Sequence, residues 1–245
     1  MIEFKHLSKK FGALHILKDI NLAVNDQEIL TIIGQSGAGK TVLLKTLLGL
    51  IPADQGEIHL DGKNIIAYNE SQLNKYVRSN MSIVFQQGAL WDSMTVRENI
   101  DLALRVRLHL SEAERTQRID ECLDMVDLSH AADVYPDELS GGMMKRVAIA
   151  RAIAPRPKYL LYDEPTTGLD PVLSNTISDL ILGLTRELSS TTLIISHDIE
   201  NIRKISDRVA MLYEGKIILT CSTEEMWNVD MPVFKSFIRG ESMKS

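Results

Sequence analysis

At 245 residues, 44% hydrophobic and 24% charged, the chain can bury one substantial core, or one core with a subdomain. A formal net charge of -6 argues against nucleic acid as the main partner, because such partners select a basic footprint. Two cysteines, Cys122 and Cys221, form neither a metal-ligand spacing nor a disulfide framework, which suits a reducing cytosol and reads them as small core hydrophobes.

In chain order, Phe4 to Leu7 and Ile20 to Val24 are short strand candidates, and Glu28 to Ile33 is an apolar, β-branched run that predicts a buried strand. Gly34-Gln35-Ser36-Gly37-Ala38-Gly39-Lys40-Thr41 follows and fits G-x-x-x-x-G-K-[ST], with Val42 to Leu50 continuing as a Leu-rich helix. A strand, a glycine loop and a helix in that order make a phosphate cradle. The glycines let N–H groups converge on an anion, the helix N-terminus adds partial positive charge, Lys40 adds a full one, and Thr41 offers a hydroxyl for Mg²⁺. A plain Gly-rich turn is the alternative reading of the same residues. Glu57 to Leu60 is a further strand candidate, and Asp61-Gly62 signals a hairpin turn.

After a strand candidate at Ser82 to Val84 the pattern turns helical. Thr95-Val96-Arg97-Glu98 and Ser111-Glu112-Ala113-Glu114 are capping boxes, and Ile119, Cys122, Leu123 and Val126 share one helical face. The stretch from about 92 to 150 reads as a helical insertion. It ends in Leu139-Ser140-Gly141-Gly142, which opens a helix carrying Met143 to Ala154. The chain then alternates: a strand at Tyr159 to Tyr162, a helix from Pro171, a strand at Thr191 to Ser196, a helix from Asp198 and a strand at Val209 to Leu212. Such alternation predicts an α/β fold with a parallel sheet. Asp163 and Glu164 end one strand and point opposite ways, so one carboxylate suits Mg²⁺ and the other a general base. No run reaches the roughly 20 apolar residues that span a bilayer, and Met1 to His6 lacks the apolar stretch of a signal peptide, so a cytoplasmic location is expected.

The phosphate loop and the Leu139–Gly142 segment together resemble the ATP-binding-cassette (ABC) ATPases, which close ATP between the loop of one subunit and the signature segment of another. The resemblance covers nearly the whole chain. It implies a single domain over residues 1–245: a P-loop NTPase (RecA-like) core with a parallel sheet, an N-terminal antiparallel β lobe, the inserted helical subdomain and a C-terminal tail from about 222. It implies ATP and Mg²⁺ as cofactors and a second copy as partner. Residue by residue, Gly34, Gln35, Ser36, Gly37, Ala38, Gly39, Lys40 and Thr41 take the phosphates, and Phe11 takes the adenine. Thr41, Gln86 and Asp163 take the metal; Glu164, His197 and Gln86 take catalytic roles as base, γ-phosphate switch and Q-loop sensor. Ser140, Gly141 and Gly142 complete the partner's site, and Asp170 lies in the dimer-crossing segment Glu164 to Pro171. His6, His15, His59, His109 and His130 have no spacing that argues for metal.

One departure narrows the group: Met143-Met144 stands where many members carry Gln, and a thioether cannot replace an amide hydrogen bond. Leu139 to Arg146, Gln87 to Val96 and the tail Asp230 to Gly240 look like the ATPase of Mce-associated, Mla-type phospholipid transporters. That would imply an integral membrane permease, an Mce-domain lipid-binding protein, a STAS-domain subunit, and a peripheral place on the cytoplasmic face of the inner membrane. Two alternatives stand beside it: the ATPase of a small-nutrient importer, such as one for amino acids, and a non-transport mechanoprotein. Leu90 and Trp91 are candidates to receive a permease helix, or simply pack a junction.

Overall fold

The computed structural model describes residues 1–241; the end of the expected tail, 242–245, lies outside the described residues. The chain opens with β1 (Ile2–Phe11), β2 (Leu14–Val24), β3 (Ile29–Ile33), α1 (Lys40–Leu47), β4 (Gln55–Leu60), the short β5 (Lys63–Asn64) and the single turn α2 (Glu70–Gln72). It continues with β6 (Met81–Val84), α3 (Val96–Arg107), α4 (Glu112–Met125), α5 (Gly141–Ile153), β7 (Tyr159–Asp163) and α6 (Pro171–Glu187). The last elements are β8 (Thr191–Ile195), α7 (Ile199–Ile205), β9 (Arg208–Tyr213), β10 (Lys216–Ser222) and α8 (Pro232–Ile238). Two compact units result: Met1–Arg78 with the residues from Thr191 onward, and Ser79–Ser190.

The first unit holds an antiparallel sheet ordered β2-β1-β4-β5. Alternation buries Ile2 and Phe4 of β1, and a register shift before Leu7, where His6 has φ of 52°, resumes the buried set there. The Asp61-Gly62 turn has φ of 52° and 78°, the left-handed pair that suits a tight hairpin. In the same unit β3 lies between β8 and β9, parallel to both, and β10 runs antiparallel to β9. All five residues of β3 are buried, which is why this strand reads as a continuous apolar run. Its one polar side chain, Thr31, meets the Ser206 hydroxyl at 2.6 Å. The chain's C-terminal stretch folds back onto this sheet: Phe234 and Ile238 of α8 and Met226 pack with Ile33, Val209 and Met211.

In the second unit β6 and β7 pair in parallel, and every residue of β7 is buried. Both capping boxes form: Thr95 and Ser111 accept from the N–H groups of Glu98 and Glu114, whose carboxylates reach back to the cap N–H groups. Ile119, Cys122, Leu123 and Val126 are all buried. Burial pushes the Cys122 thiol up to about 11, mainly by desolvation. Cys221 departs from the expectation of a core position and is only half-buried on β10. Among the described residues no helix is long and apolar enough to cross a membrane.

Candidate nucleotide site

In the first unit, β3 delivers the chain into the glycine loop and α1 leaves it. Two glycines are there by necessity. A Cβ on Gly34 would stand 2.2 Å from the Leu212 carbonyl oxygen, so only glycine lets the loop start this close to β9. Gly39 takes φ 106° at the helix N-cap, a conformation other residues rarely adopt, and no side chain caps the turn. The first N–H groups of α1 are therefore presented without a side-chain cap, as an anion site needs. Lys40 is 8% exposed, and its ammonium donates to the carbonyls of Gly34 at 2.7 Å and Gln35 at 2.9 Å. Its charge is stored inside the loop, beside the exposed Gln35, Ser36 and Gly37. Thr41 follows at the first turn.

The register of β3 with β8 sets Ile32 opposite Ile195, so the phosphate loop and Ser196-His197 emerge at the same end of adjacent parallel strands. His197 is exposed; Asp198 caps α7 by accepting from the Asn201 N–H. Phe11, 49% exposed at the end of β1, has the Lys9 ammonium 5.3 Å from its ring centre. Lys9 is fixed in turn by Asp54 at 3.1 Å, and Asp54 also accepts the Lys10 N–H at 2.6 Å. The ring is backed by a cation on one side.

In the second unit the register sets Val84 opposite Tyr162, so Phe85-Gln86 and Asp163-Glu164 leave the same end of a parallel pair. Asp163 is buried at 8% exposure. Glu164 is half-exposed and holds φ 54°, a left-handed conformation costly for a non-glycine residue and frequent at working sites. Its carboxylate accepts from the Thr167 hydroxyl at 3.0 Å. Asp170 caps α6 through the N–H groups of Val172 at 2.9 Å and Leu173 at 3.0 Å, with Pro171 at the first position. Ser140 caps α5, and its hydroxyl oxygen accepts the Met143 N–H at 3.3 Å. The hydroxyl hydrogen remains to donate. Gly141 faces open space, whereas a Cβ on Gly142 would touch Leu173 at 3.4 Å. Lys145, on the same helix, donates to the Gln86 carbonyl; desolvation lowers its pKa while the Glu164 carboxylate opposes that shift.

Sequence reasoning missed Thr167, Lys9, Asp54 and Lys145. Lys9, Asp54 and Lys145 act from outside the motif they support, whereas Thr167 lies within the Glu164 to Pro171 segment, three residues from its partner. In the first unit the donor chemistry, N–H groups with an ammonium and a hydroxyl, fits the phosphates of a nucleotide and a hard cation; in the second unit the buried Asp163 carboxylate is itself of the oxygen type that Mg²⁺ takes.

The ABC transporter family profile matches residues 17–167. The methionine import ATP-binding protein MetN of Rhizobium etli is 42% identical over 223 residues, covering 91% of this chain and 60% of that protein. The probable ribonucleotide transport ATP-binding protein mkl of Mycobacterium leprae is 35% identical over 239 residues, 98% of this chain and 69% of that protein. A dimeric, post-hydrolysis ATP-binding cassette bound to ADP and Pi is 33% identical, with a TM-score of 0.83 over 91% of this chain and 99% of that one. The chain thus spans about 60% of the length of the methionine-import relative.

Proposed function

Because this chain belongs to the ABC transporter family, we propose that it is the ATP-hydrolysing subunit of a membrane transporter. It works as two copies with a separate integral permease, at the cytoplasmic face of the cell membrane. The observation that carries this reading is the pairing, in one chain, of the Lys40 loop with a helix capped by Ser140 and opened by Gly141-Gly142. The dimeric relative bound to ADP and Pi supports the same arrangement of copies.

In this reading Gly34 to Lys40 bind the phosphates of ATP, and Phe11 lies against the base. Thr41, Asp163 and Gln86 are the residues assigned to Mg²⁺, which would supply charge neutralisation at the phosphates when bound. Glu164 orients and deprotonates the attacking water, held at its strained φ by Thr167. His197 touches the terminal phosphate, and Ser140 donates to the nucleotide of the other copy. Asp170 fixes the start of α6 where the copies cross.

For the cargo, the methionine-import and probable ribonucleotide-transport relatives favour a small polar solute. Phospholipid transport of the Mla type, with Mce-domain and STAS-domain partners, is the second reading. It rests on the Gln87 to Val96, Leu139 to Arg146 and Asp230 to Gly240 segments. Purifying the complex from membranes through this chain and assaying it in vesicles separates them. ATP-driven uptake of methionine or a similar solute with no lipid movement supports the first, and copurified phospholipid with ATP-driven lipid transfer supports the second. A complex that releases no phosphate from ATP and Mg²⁺ rejects both.

A further inference from the structure

Within the second unit, the backbone that follows Gln86 is held by side chains from two helices. From α5, Lys145 donates to the Gln86 carbonyl, and Arg151 donates to the carbonyls of Gly88 at 2.6 Å and Ala89 at 2.7 Å. From α3, the fully buried Asn99 accepts the Trp91 N–H at 2.8 Å and donates to the carbonyls of Trp91 at 3.1 Å and Met94 at 3.0 Å. Gly88 and Ala89 turn through left-handed φ of 74° and 50°, and their two successive carbonyls both meet the single guanidinium of Arg151. The segment ends in the Trp91 side chain, 58% exposed.

A cation resting on carbonyl dipoles gives up its own hydration to make those bonds, and removing it would strand the carbonyls it serves. Charge-assisted bonds are also roughly twice as strong as neutral ones, and the planar fork of Arg fixes two acceptors at a set spacing. The arrangement holds one loop rigid against one helix.

We infer that Lys145 and Arg151 are positioning residues that tie the helix opened by Ser140 to the backbone from Gln86 to Ala89, so that the Trp91 surface moves with α5 as one piece. The tie stands on geometry alone; its consequence, that nucleotide engagement at Ser140 is delivered to whatever Trp91 touches, rests on the ATPase reading above. Neither residue touches nucleotide in that reading.

The test uses the full chain in its transporter complex, and also the chain alone with Trp227→Phe so that Trp91 is the one tryptophan. Without nucleotide, Lys145→Met with Arg151→Gln raises hydrogen exchange at the Gly88 and Trp91 amides by about tenfold or more, the factor expected from losing a charge-assisted bond, and raises acrylamide quenching of Trp91. With nucleotide, affinity for Mg·ATP stays within about threefold, while the cargo moved per ATP hydrolysed falls by about tenfold. Lys145→Arg keeps the wild-type behaviour, and Arg151→Lys gives an intermediate one, because a single ammonium cannot reach both carbonyls as the fork does. If the double variant does not fold, Arg151→Lys alone carries the exchange measurement. Unchanged exchange and quenching in a folded variant overturns the inference. Failure of the wild type to bind ATP defeats the ATPase reading and leaves the exchange result to decide the tie.

Discussion

Lys40 and the Lys145–Arg151 pair use the same chemistry, a cation resting on main-chain carbonyls, in two different surroundings. At Lys40 the acceptors belong to Gly34 and Gln35, in a loop whose next residues, Gln35 to Gly37, are exposed. At Arg151 the acceptors belong to Gly88 and Ala89, in a segment also pinned by the buried Asn99. A carbonyl pair followed by exposed loop residues makes temporary partners that a phosphate can replace at little cost. A segment pinned at a second point by Asn99 makes them a strut. The bond lengths are alike, and what differs is the freedom of the neighbouring backbone.

The largest effect should come from exchanging Lys40. Lys40→Ala is expected to weaken Mg·ATP binding by about 100-fold or more, since a charged partner contributes up to ~3 kcal/mol, while the urea midpoint hardly moves. Equilibrium dialysis and urea unfolding check the two halves, and a stability loss as large as the binding loss would erase the contrast. Asn99→Ala should do the reverse, costing about 2 kcal/mol or more by stranding a buried N–H and its neighbouring carbonyls. Nucleotide binding in the folded fraction should survive.

A smaller, pH-dependent effect calibrates ordinary surface electrostatics in the same unit. The Ser111 hydroxyl and N–H hold the Glu114 carboxyl below its usual range. With the folded pKa depressed, this contribution is present above the unfolded carboxyl pKa and is lost as pH falls through the folded one. Ser111→Ala should therefore move the Glu114 titration upward in NMR and flatten the acid limb of stability. The smallest effect is expected at Tyr162, whose buried hydroxyl has no hydrogen-bond partner among the described residues and whose pKa burial raises. Tyr162→Phe should be neutral or slightly stabilising, because no partner is lost. A loss above about 1 kcal/mol would mean that the hydroxyl is bonded after all.

What the sequence discloses follows from how local each cause is. The strand-loop-helix around Lys40 is legible because glycines, an apolar run and a helix signal adjoin, and the caps at Thr95, Ser111 and Asp170 are legible because each partner lies within three residues. The hairpin at Asp61-Gly62 could be read. The equivalent turn at Glu214-Gly215, with φ of 48° and 81°, could not, because glutamate is not a usual turn residue, and β10 went unforeseen with it. Lys145 and Arg151 were hidden for a deeper reason: their acceptors are carbonyls, which every residue has, so no side-chain partner betrays them. Lys9 and Asp54 were separated by too many residues to be paired in advance.

The most direct test of the account is turnover by the purified complex with and without the carboxylate at Glu164. Steady-state phosphate release should fall by ~10²–10⁴ in Glu164→Gln, as expected for a general base, while Mg·ATP still binds and light scattering shows two copies drawn together. A Glu164→Gln rate within about threefold of wild type would contradict the assignment of this strained carboxylate as the base.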